Sequence, residues 1–572
     1  MKISFPLQRR ICLFVIILLA LPALTLRAQA AKDPKSPQFP RDFRSIDGSG
    51  NNLSHPDWGQ AGTPLLRLCP SDYADQISAP SGVERPSPRA ISNAVVAQTT
   101  PIYNSRGASD FIWQWGQFVD HDLDLTLTRT DEPMDVSVPL GDAFFDPFNT
   151  GTQVIGFDRS DFMMVNGVRQ QTNVITGFLD ASQVYGSDVA RATELRALDG
   201  TGRLKTAAGD LLPFNLHGFT NSPDNSDTSL FLAGDARANE QVGLSCLHIL
   251  FMREHNFWAD TIHELFPHFS DDQIYLAARA IVGAEIQSIT YNEFLPVFLG
   301  PKAIAPYRGY RPDVNATIST EFSTACYRVG HTMLGPVLPR LDENDQPIAA
   351  GALPLAGAFF NPNEILNNGG IDPVLRGLAS ERAQEIDTML VDGVRNFLFG
   401  PPGAGGFDLA SLNLQRGRDH GLPDYNSVRG TLGLRELNGF NDPALERLAA
   451  SRLASVYGNI NDVDCWIGAL AEIHVPGAMV GETIFTVLKD QFERTRDGDR
   501  FWYQIYLPQP LAHLIEKQTL SIIIRRNEGI SGELQDDAFI APAGRLKKKP
   551  KEKVPLEEIR SVVRRVFLDP QS

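Results

Sequence analysis

The sequence predicts a mainly α-helical fold, built as one large domain with long loops and few, short strands. Three observations predict it. Apolar residues recur at helical spacing over residues 109–123, 239–265, 271–299, 383–399 and 442–457. Alternating apolar and polar runs are few and short, and no segment repeats at a fixed period. The 572 residues, 42% hydrophobic and 21% charged, have the composition of a folded globular protein with enough chain for a large core.

Taken in order, residues 1–30 read as a signal peptide. Arg9 and Arg10 form a basic start, residues 11–26 an apolar run, and Ala28-Gln29-Ala30 a small-x-small cleavage pattern. The run is shorter than the ~20 residues that span a bilayer. The mature chain is therefore expected to be secreted or periplasmic, without stable membrane insertion. Residues 31–90, rich in Pro, Ser, Asp and Gly, read as an extended arm on the main domain, 91–541. Asp271-Asp272 is expected to cap one long helix and Gly300-Pro301 to stop it. Residues 542–572 read as a basic, solvated extension, opening on Arg545-Leu546-Lys547-Lys548-Lys549-Pro550-Lys551. Within it, 554–567 could form a short amphipathic helix.

Composition excludes several functions. Net charge is −16, and −20 without residues 1–30, which hold four basic and no acidic residues. Such a surface repels nucleic acid and anionic membrane. Cys69, Cys246, Cys326 and Cys465 are scattered, with no CxxC pair, so neither a zinc site nor a disulfide framework is expected. Their pairing is open. The glycine-rich loop at 400–406 lacks the Gly-Lys-Ser/Thr ending of a phosphate loop.

Five segments carry residue types suited to chemistry. In Trp115-Gly116-Gln117-Phe118-Val119-Asp120-His121-Asp122, helical spacing puts Gln117, Asp120 and His121 on one face. Asp122, turned by about 100°, points elsewhere. A buried polar face with a satisfied histidine is the alternative. In Thr176-Gly177-Phe178-Leu179-Asp180-Ala181-Ser182, alternate positions offer hard oxygens of the kind calcium takes, although such residues are also common in turns. Asp235-Ala236-Arg237-Ala238-Asn239-Glu240 places Arg237 and Glu240 three apart at a helix start, where a surface ion pair is the alternative. His248 and His255, further along that helix, match no metal motif and read as structural. Tyr327-Arg328-Val329-Gly330-His331-Thr332 and Leu412-Asn413-Leu414-Gln415-Arg416-Gly417 complete the set. Asn413 could hydrogen-bond one ring nitrogen of His331 and leave the other free for a metal.

In these segments, and in their order, the sequence resembles the animal-type haem peroxidases of the peroxidase–cyclooxygenase superfamily. Phe231-Leu232-Ala233-Gly234-Asp235, Arg253-Glu254-His255-Asn256 and Trp466-Ile467-Gly468-Ala469 add lesser matches, and together they span residues 41–524. The resemblance implies a helical haem peroxidase fold and a haem b cofactor. It makes His331 the axial iron ligand and Asn413 its partner. It makes His121 the distal base, assisted by Arg237 and Gln117. Asp120 and Glu240 match carboxylates esterified to the haem, and Arg328 and Arg416 arginines near its propionates. Asp122, Thr176, Phe178 (carbonyl), Asp180 and Ser182 match a calcium site. The implied activity is reduction of hydrogen peroxide with oxidation of halides, thiocyanate or small aromatic donors. A neutral imidazole suits the proton shuttle this needs, and an arginine stabilises the leaving oxygen.

Two departures bear on the donor. Gln241 stands where some relatives have a methionine bonded to the haem, which favours bromide or iodide over chloride. Val329 stands where many have an aromatic residue. Two rivals are a fatty-acid dioxygenase and a non-catalytic adhesion or matrix protein. The first would need a tyrosine three residues before His331, where Arg328 stands. The second would be expected to lose His121, Arg237 or His331.

Overall fold

Helix α1 (Phe111–Leu123) turns its apolar side chains into the core and presents polar ones along a second face. Trp115 and Phe118 pack on Phe251 of α2 (Val242–Leu265), with ring centres 5.6 and 5.2 Å apart. The computed structural model describes residues 42–543 and 554–568. The signal-like segment 1–30 and the basic run 545–551 lie outside the described residues.

The fold is mainly helical, as expected. Helix α3 (Asp271–Ile289) continues through one wide turn, Thr290–Phe294, into Leu295–Phe298 and stops before Gly300. Its cap differs from expectation. Ser270, not the Asp271-Asp272 pair, closes a capping box with Gln273, and the two aspartates occupy the first turn, where they favour the helix dipole. The wide turn has a local cause: Thr290 Oγ1 accepts from Trp115 Nε1 at 3.2 Å and donates to the Ile286 carbonyl. Helices α4 (Leu409–Asp419), α5 (Arg447–Tyr457) and α6 (Glu482–Asp497) follow. Helix α5 begins later than its apolar pattern, because the Glu446 carboxylate caps the amides of Leu448 and Ala449.

The helix expected over 383–399 does not form. Only Asp392–Arg395 is helical there. The amides of Ala383, Gln384 and Leu390 instead donate to the carbonyls of Ala108, Met333 and Val96. Partners on other segments thus replace helical ones, and tertiary context overrides spacing. The tail forms the short amphipathic helix expected over 554–567, but packed rather than solvated. Helix α7 (Leu556–Leu568) buries Ile559, Val563, Val566 and Phe567, with the Phe567 ring 5.5 Å from Phe266.

Strands are short. β1 (Thr63–Pro64), in the arm, pairs antiparallel with β3 (Val168–Asn173), which pairs with β2 (Phe162–Val165). This sheet fixes the exit of α1, because Asn173 Nδ2 donates to the Leu123 carbonyl and its Oδ1 accepts from Leu125 N. Elsewhere Gly234 lets residues 233–235 lie against the 182–186 turn. A Cβ there would collide with the Ser182 carbonyl and the Tyr185 and Gly186 amides.

Candidate active site

The polar face of α1, the 235–241 loop, the tight helical turn Cys326–Thr332 and α4 enclose a cavity of about 330 Å³. Gln117, Asp120, His121, Arg237, Glu240, Arg328, His331, Asn413 and Arg416 all line it. The residues singled out on four separate segments therefore meet in one space. The 3.6-residue helical repeat explains α1's share, since positions 117, 120 and 121 fall on one stripe.

Arg237 is held from two sides. Its Nε and Nη2 donate to the two Asp235 oxygens, each at 2.9 Å, and Nη2 also reaches the Asp124 carbonyl. Its Nη1 lies 3.5 Å from Asp120. The paired guanidinium holds the Asp235 carboxyl far below the usual range despite burial. Asp235 Oδ1 also lies 3.5 Å from His121 Nδ1, beyond hydrogen-bond length, and that nitrogen has no closer partner among the described residues. Burial first, and the Arg237 charge second, push the His121 imidazole well below its ordinary pKa, so the ring is neutral.

The two candidate carboxylates on this wall are shifted upward. Burial pushes Glu240 up to about 7 against the pull of Arg237, and it accepts from Gln117 Nε2 at 3.2 Å. Burial, then the neighbouring Asp124, raise Asp120. Gln241 is tied into the same wall. Its Nε2 donates to Gln114 Oε1 at 2.6 Å and to Gln117 Oε1 at 3.1 Å, so it sets the Gln117 amide with its nitrogen toward Glu240.

On the facing wall His331 Nδ1 lies 2.8 Å from Asn413 Nδ2, and Arg328 Nη1 donates to Asn413 Oδ1 at 3.2 Å. Burial and Arg328 push the His331 ring down to about 3, leaving it neutral. Arg416 stacks on Phe157 and donates to Ser160 Oγ and Asp419. Burial outweighs Asp419 and lowers it to about 10. Arg328 is lowered for the same first reason.

Asp122 points away from the cavity, as its position on the helix requires. It accepts from the Ala181 amide and from the Ser182 amide and hydroxyl, and Thr176 Oγ1 donates to Asp180 at 3.0 Å. Burial and mutual repulsion raise Asp122, and burial raises Asp180, whose Oδ2 has no partner among the described residues. Ala181 bends the loop with φ +66°, a left-handed conformation that costs a non-glycine residue. Phe178 is buried in the same loop. No group of three or more His, Cys, Asp or Glu that could hold a metal occurs among the described residues.

The sequence reading missed Asp235, Asp124 and Gln114. Asp235 carried a signal, standing two residues before Arg237. His255 is structural: it bridges the Tyr185 hydroxyl and the Gly202 carbonyl at 2.9 Å each. The four cysteines are free and buried. Among the described residues no helix is long and apolar enough to cross a membrane.

The profile of the animal haem peroxidases matches residues 43–539. Peroxinectin A of Dictyostelium discoideum is 35% identical over 520 residues, covering 87% of this chain and 96% of that protein. Human eosinophil peroxidase is 37% identical over 578 residues, 91% of this chain and 81% of its own. The solved structure of peroxidase A from Dictyostelium discoideum aligns with a TM-score of 0.82 at 34% identity, covering 87% of this chain and all of that one. A fatty acid α-dioxygenase of Arabidopsis thaliana aligns with a TM-score of 0.73 at 19% identity, a likeness of fold alone.

Proposed function

Because the chain belongs to the animal haem peroxidase family, and is thus a haem-dependent oxidoreductase acting on hydrogen peroxide and a small electron donor, we propose that His331 holds the haem iron and that His121 and Arg237 activate peroxide above it. The carrying observation is that both histidines and the arginine line one cavity, with the His331 ring tied to Asn413.

The residues fit a haem. Arg328 and Arg416 are largely shielded guanidiniums whose charge this shielding disfavours, and the two propionates would compensate it. Neutral His331 suits an iron ligand. Ligation through Nε2 needs the proton on Nδ1 and an acceptor facing it. The Asn413 amide meets this by turning over, since its oxygen and nitrogen have nearly the same shape. Arg328, which now donates to the amide oxygen, would then be free to hold a propionate. Asp120 and Glu240 stand to form esters with haem methyl groups.

When bound, the haem supplies the redox chemistry that cleaves the peroxide O–O bond. The protein handles the proton and the charge. Neutral His121 takes the proton from the oxygen that will face the iron and returns it to the oxygen that leaves. Arg237, held in place by Asp235 and by the Asp124 carbonyl, stabilises the charge that grows on the leaving oxygen. Gln117 adds an amide on the same helix face. Bromide, iodide, thiocyanate and small aromatic molecules are the proposed donors, with chloride disfavoured because Gln241 cannot form a sulfonium.

Asp122, Thr176, the Phe178 carbonyl, Asp180 and Ser182 are proposed to hold calcium. Two buried carboxylates with raised affinity for protons are the mark of a place that wants a cation. Residues 1–30, read as a signal peptide, support a secreted or periplasmic enzyme. Reconstitution with haem, followed by a Soret spectrum and assays with bromide and guaiacol, tests the reading. A protein that takes up no haem, or binds it and oxidises neither donor, would overturn it.

A further inference from the structure

An unbroken run of aromatic rings leads from the cavity to a second pocket. Tyr327 lines the cavity. Its ring centre is 5.7 Å from Phe492, Phe492 is 6.0 Å from Tyr291, and Tyr291 is 4.8 Å from Trp502. Trp502 in turn is 4.8 Å from Tyr503 and 5.8 Å from Tyr307. These are contact distances for packed aromatic side chains. Tyr291, Tyr307, Trp502 and Tyr503 line a pocket of about 190 Å³ whose rim includes the exposed Asn292 and Gln504, so it opens to solvent.

The rings differ in what they can do with a proton. A phenol that loses an electron becomes a strong acid and needs a base at hand. The hydroxyls of Tyr327 and Tyr307 have no partner among the described residues, and that of Tyr291 donates to the Phe492 carbonyl, which cannot take the proton. Tyr503 alone in this run donates to a carboxylate, Glu516 Oε1 at 3.1 Å, on an exposed side chain. Tryptophan can lose an electron without losing its proton. Trp502 and Tyr503, beside the outer pocket, are thus the rings of this run best suited to hold an oxidising equivalent.

The outer pocket suits an uncharged aromatic guest. Its walls combine the four rings, Leu295 and Ile304 with the polar groups of Asn292, Gln504 and Arg496, so a guest could stack on a ring and hydrogen-bond through a phenol hydroxyl. Its cation, Arg496, lies over Tyr291 and Tyr307 and is already engaged by Asp497 and the Ala305 carbonyl. The overall charge of −16 also disfavours anions.

We propose that this pocket is a second donor site, where phenols too large for the cavity are oxidised one electron at a time at Trp502 and Tyr503, the electron passing inward across Tyr291, Phe492 and Tyr327. The inference rests on the peroxidase reading of the cavity. Two phenols each lose one electron and one proton. The electrons travel inward, the protons go to solvent, and two protons enter at the cavity. One hydrogen peroxide becomes two waters and two phenoxyl radicals leave.

The test uses haem-loaded enzyme, with phenol linked to dextran as the large donor and iodide as the small one. Trp502→Phe keeps an aromatic ring of lower oxidisability, and Glu516→Gln, at the surface, removes the proton acceptor while keeping an amide oxygen for the Gln504 contact. Both should slow dextran–phenol oxidation at least about tenfold, equivalent to about 1.4 kcal/mol in the barrier, and leave iodide oxidation unchanged. Independently of turnover, peroxide added without donor in the presence of 2-methyl-2-nitrosopropane should leave a mass adduct on Trp502 or Tyr503. Unchanged dextran–phenol rates in both variants, or adducts only elsewhere, would overturn the proposal. A wild-type enzyme that fails to oxidise iodide as well would instead count against the haem reading.

Discussion

The side-chain amide of Asn413 meets the His331 ring at 2.8 Å, and the same amide receives Arg328 on its other end. One residue thus couples the candidate iron ligand to a candidate propionate arginine. Histidine ligands depend on such partners for ring orientation and basicity, and losing one typically costs about 10–100-fold in metal affinity. Asn413→Ala is expected to weaken haem binding by that order. His331→Ala is expected to abolish the histidine-ligated Soret spectrum. Titration of apoprotein with haem measures both, and a full spectrum from His331→Ala would remove it from the axial role.

Asp235 faces both Arg237 and His121, so its charge does more than close an ion pair. Asp235→Asn keeps the shape but leaves a buried guanidinium without its main counter-charge, a change of the kind that costs about 3–5 kcal/mol. The variant should unfold at lower urea and react more slowly with peroxide. His121→Ala should keep haem and slow that reaction at least about 10²-fold, the low end for a positioned acid–base group. Stopped-flow absorbance after mixing with peroxide reads both. A rate near wild type in His121→Ala would assign the proton transfer to another group.

What was legible beforehand follows from which interactions are local. Gln117, Asp120 and His121 share a face because of helical spacing alone, and Asp122 leaves it for the same reason. Helix starts were less legible, because caps such as Glu446 and Ser270 are polar residues that apolar spacing does not mark. Asp235 and Gln114 escaped notice because their roles arise across space, from partners on other segments. The 383–399 stretch misled because its amides at 383, 384 and 390 bond to the carbonyls of Ala108, Met333 and Val96 rather than within a helix of its own.

The loop around Asp180 should bind about one calcium per chain. Asp122 is the covalent neighbour of His121, so removing the ion should disturb both stability and the peroxide reaction. Elemental analysis after prolonged dialysis against chelator, with thermal unfolding before and after, checks this. Calcium-free protein with unchanged melting and activity would contradict it.

Glu240 gives a pH signature in the apoprotein. Arg237 and Arg328 favour its charged form, Asp235 opposes it, and Gln117 donates to it, yet burial dominates and its folded value is about 7 against an ordinary 4.5. The native state thus holds this proton more tightly than the unfolded chain. Its contribution to stability is fully present below pH 4.5, falls as pH rises to about 7 and is flat above. Glu240→Gln removes the titration. Wild-type stability relative to the variant, from urea unfolding, should therefore decline across that window, and a flat difference would mean the carboxyl is not buried as described.

The haem linkage brings the two carboxylates together. Asp120 shares its helix face with Gln117 and His121, and Glu240 accepts from Gln117, so both open on the cavity that is proposed to hold the haem. An ester forms when a carboxylic acid and a haem methyl lose two electrons and two protons to one peroxide, which leaves as two waters. Burial raises the proton affinity of both acids, which lowers the cost of placing them against an apolar methyl. Covalent haem is expected after peroxide turnover through Asp120, Glu240 or both, and no third bond, because Gln241 is occupied in hydrogen bonds to Gln114 and Gln117 and lacks sulfur. Acid–butanone extraction followed by mass spectrometry of haem peptides decides it. A haem mass mapped to Asp120 or Glu240 supports the esters, and Asp120→Val with Glu240→Gln should then release the haem. Haem that extracts completely from turned-over wild-type enzyme would leave both carboxylates as hydrogen-bonding groups only.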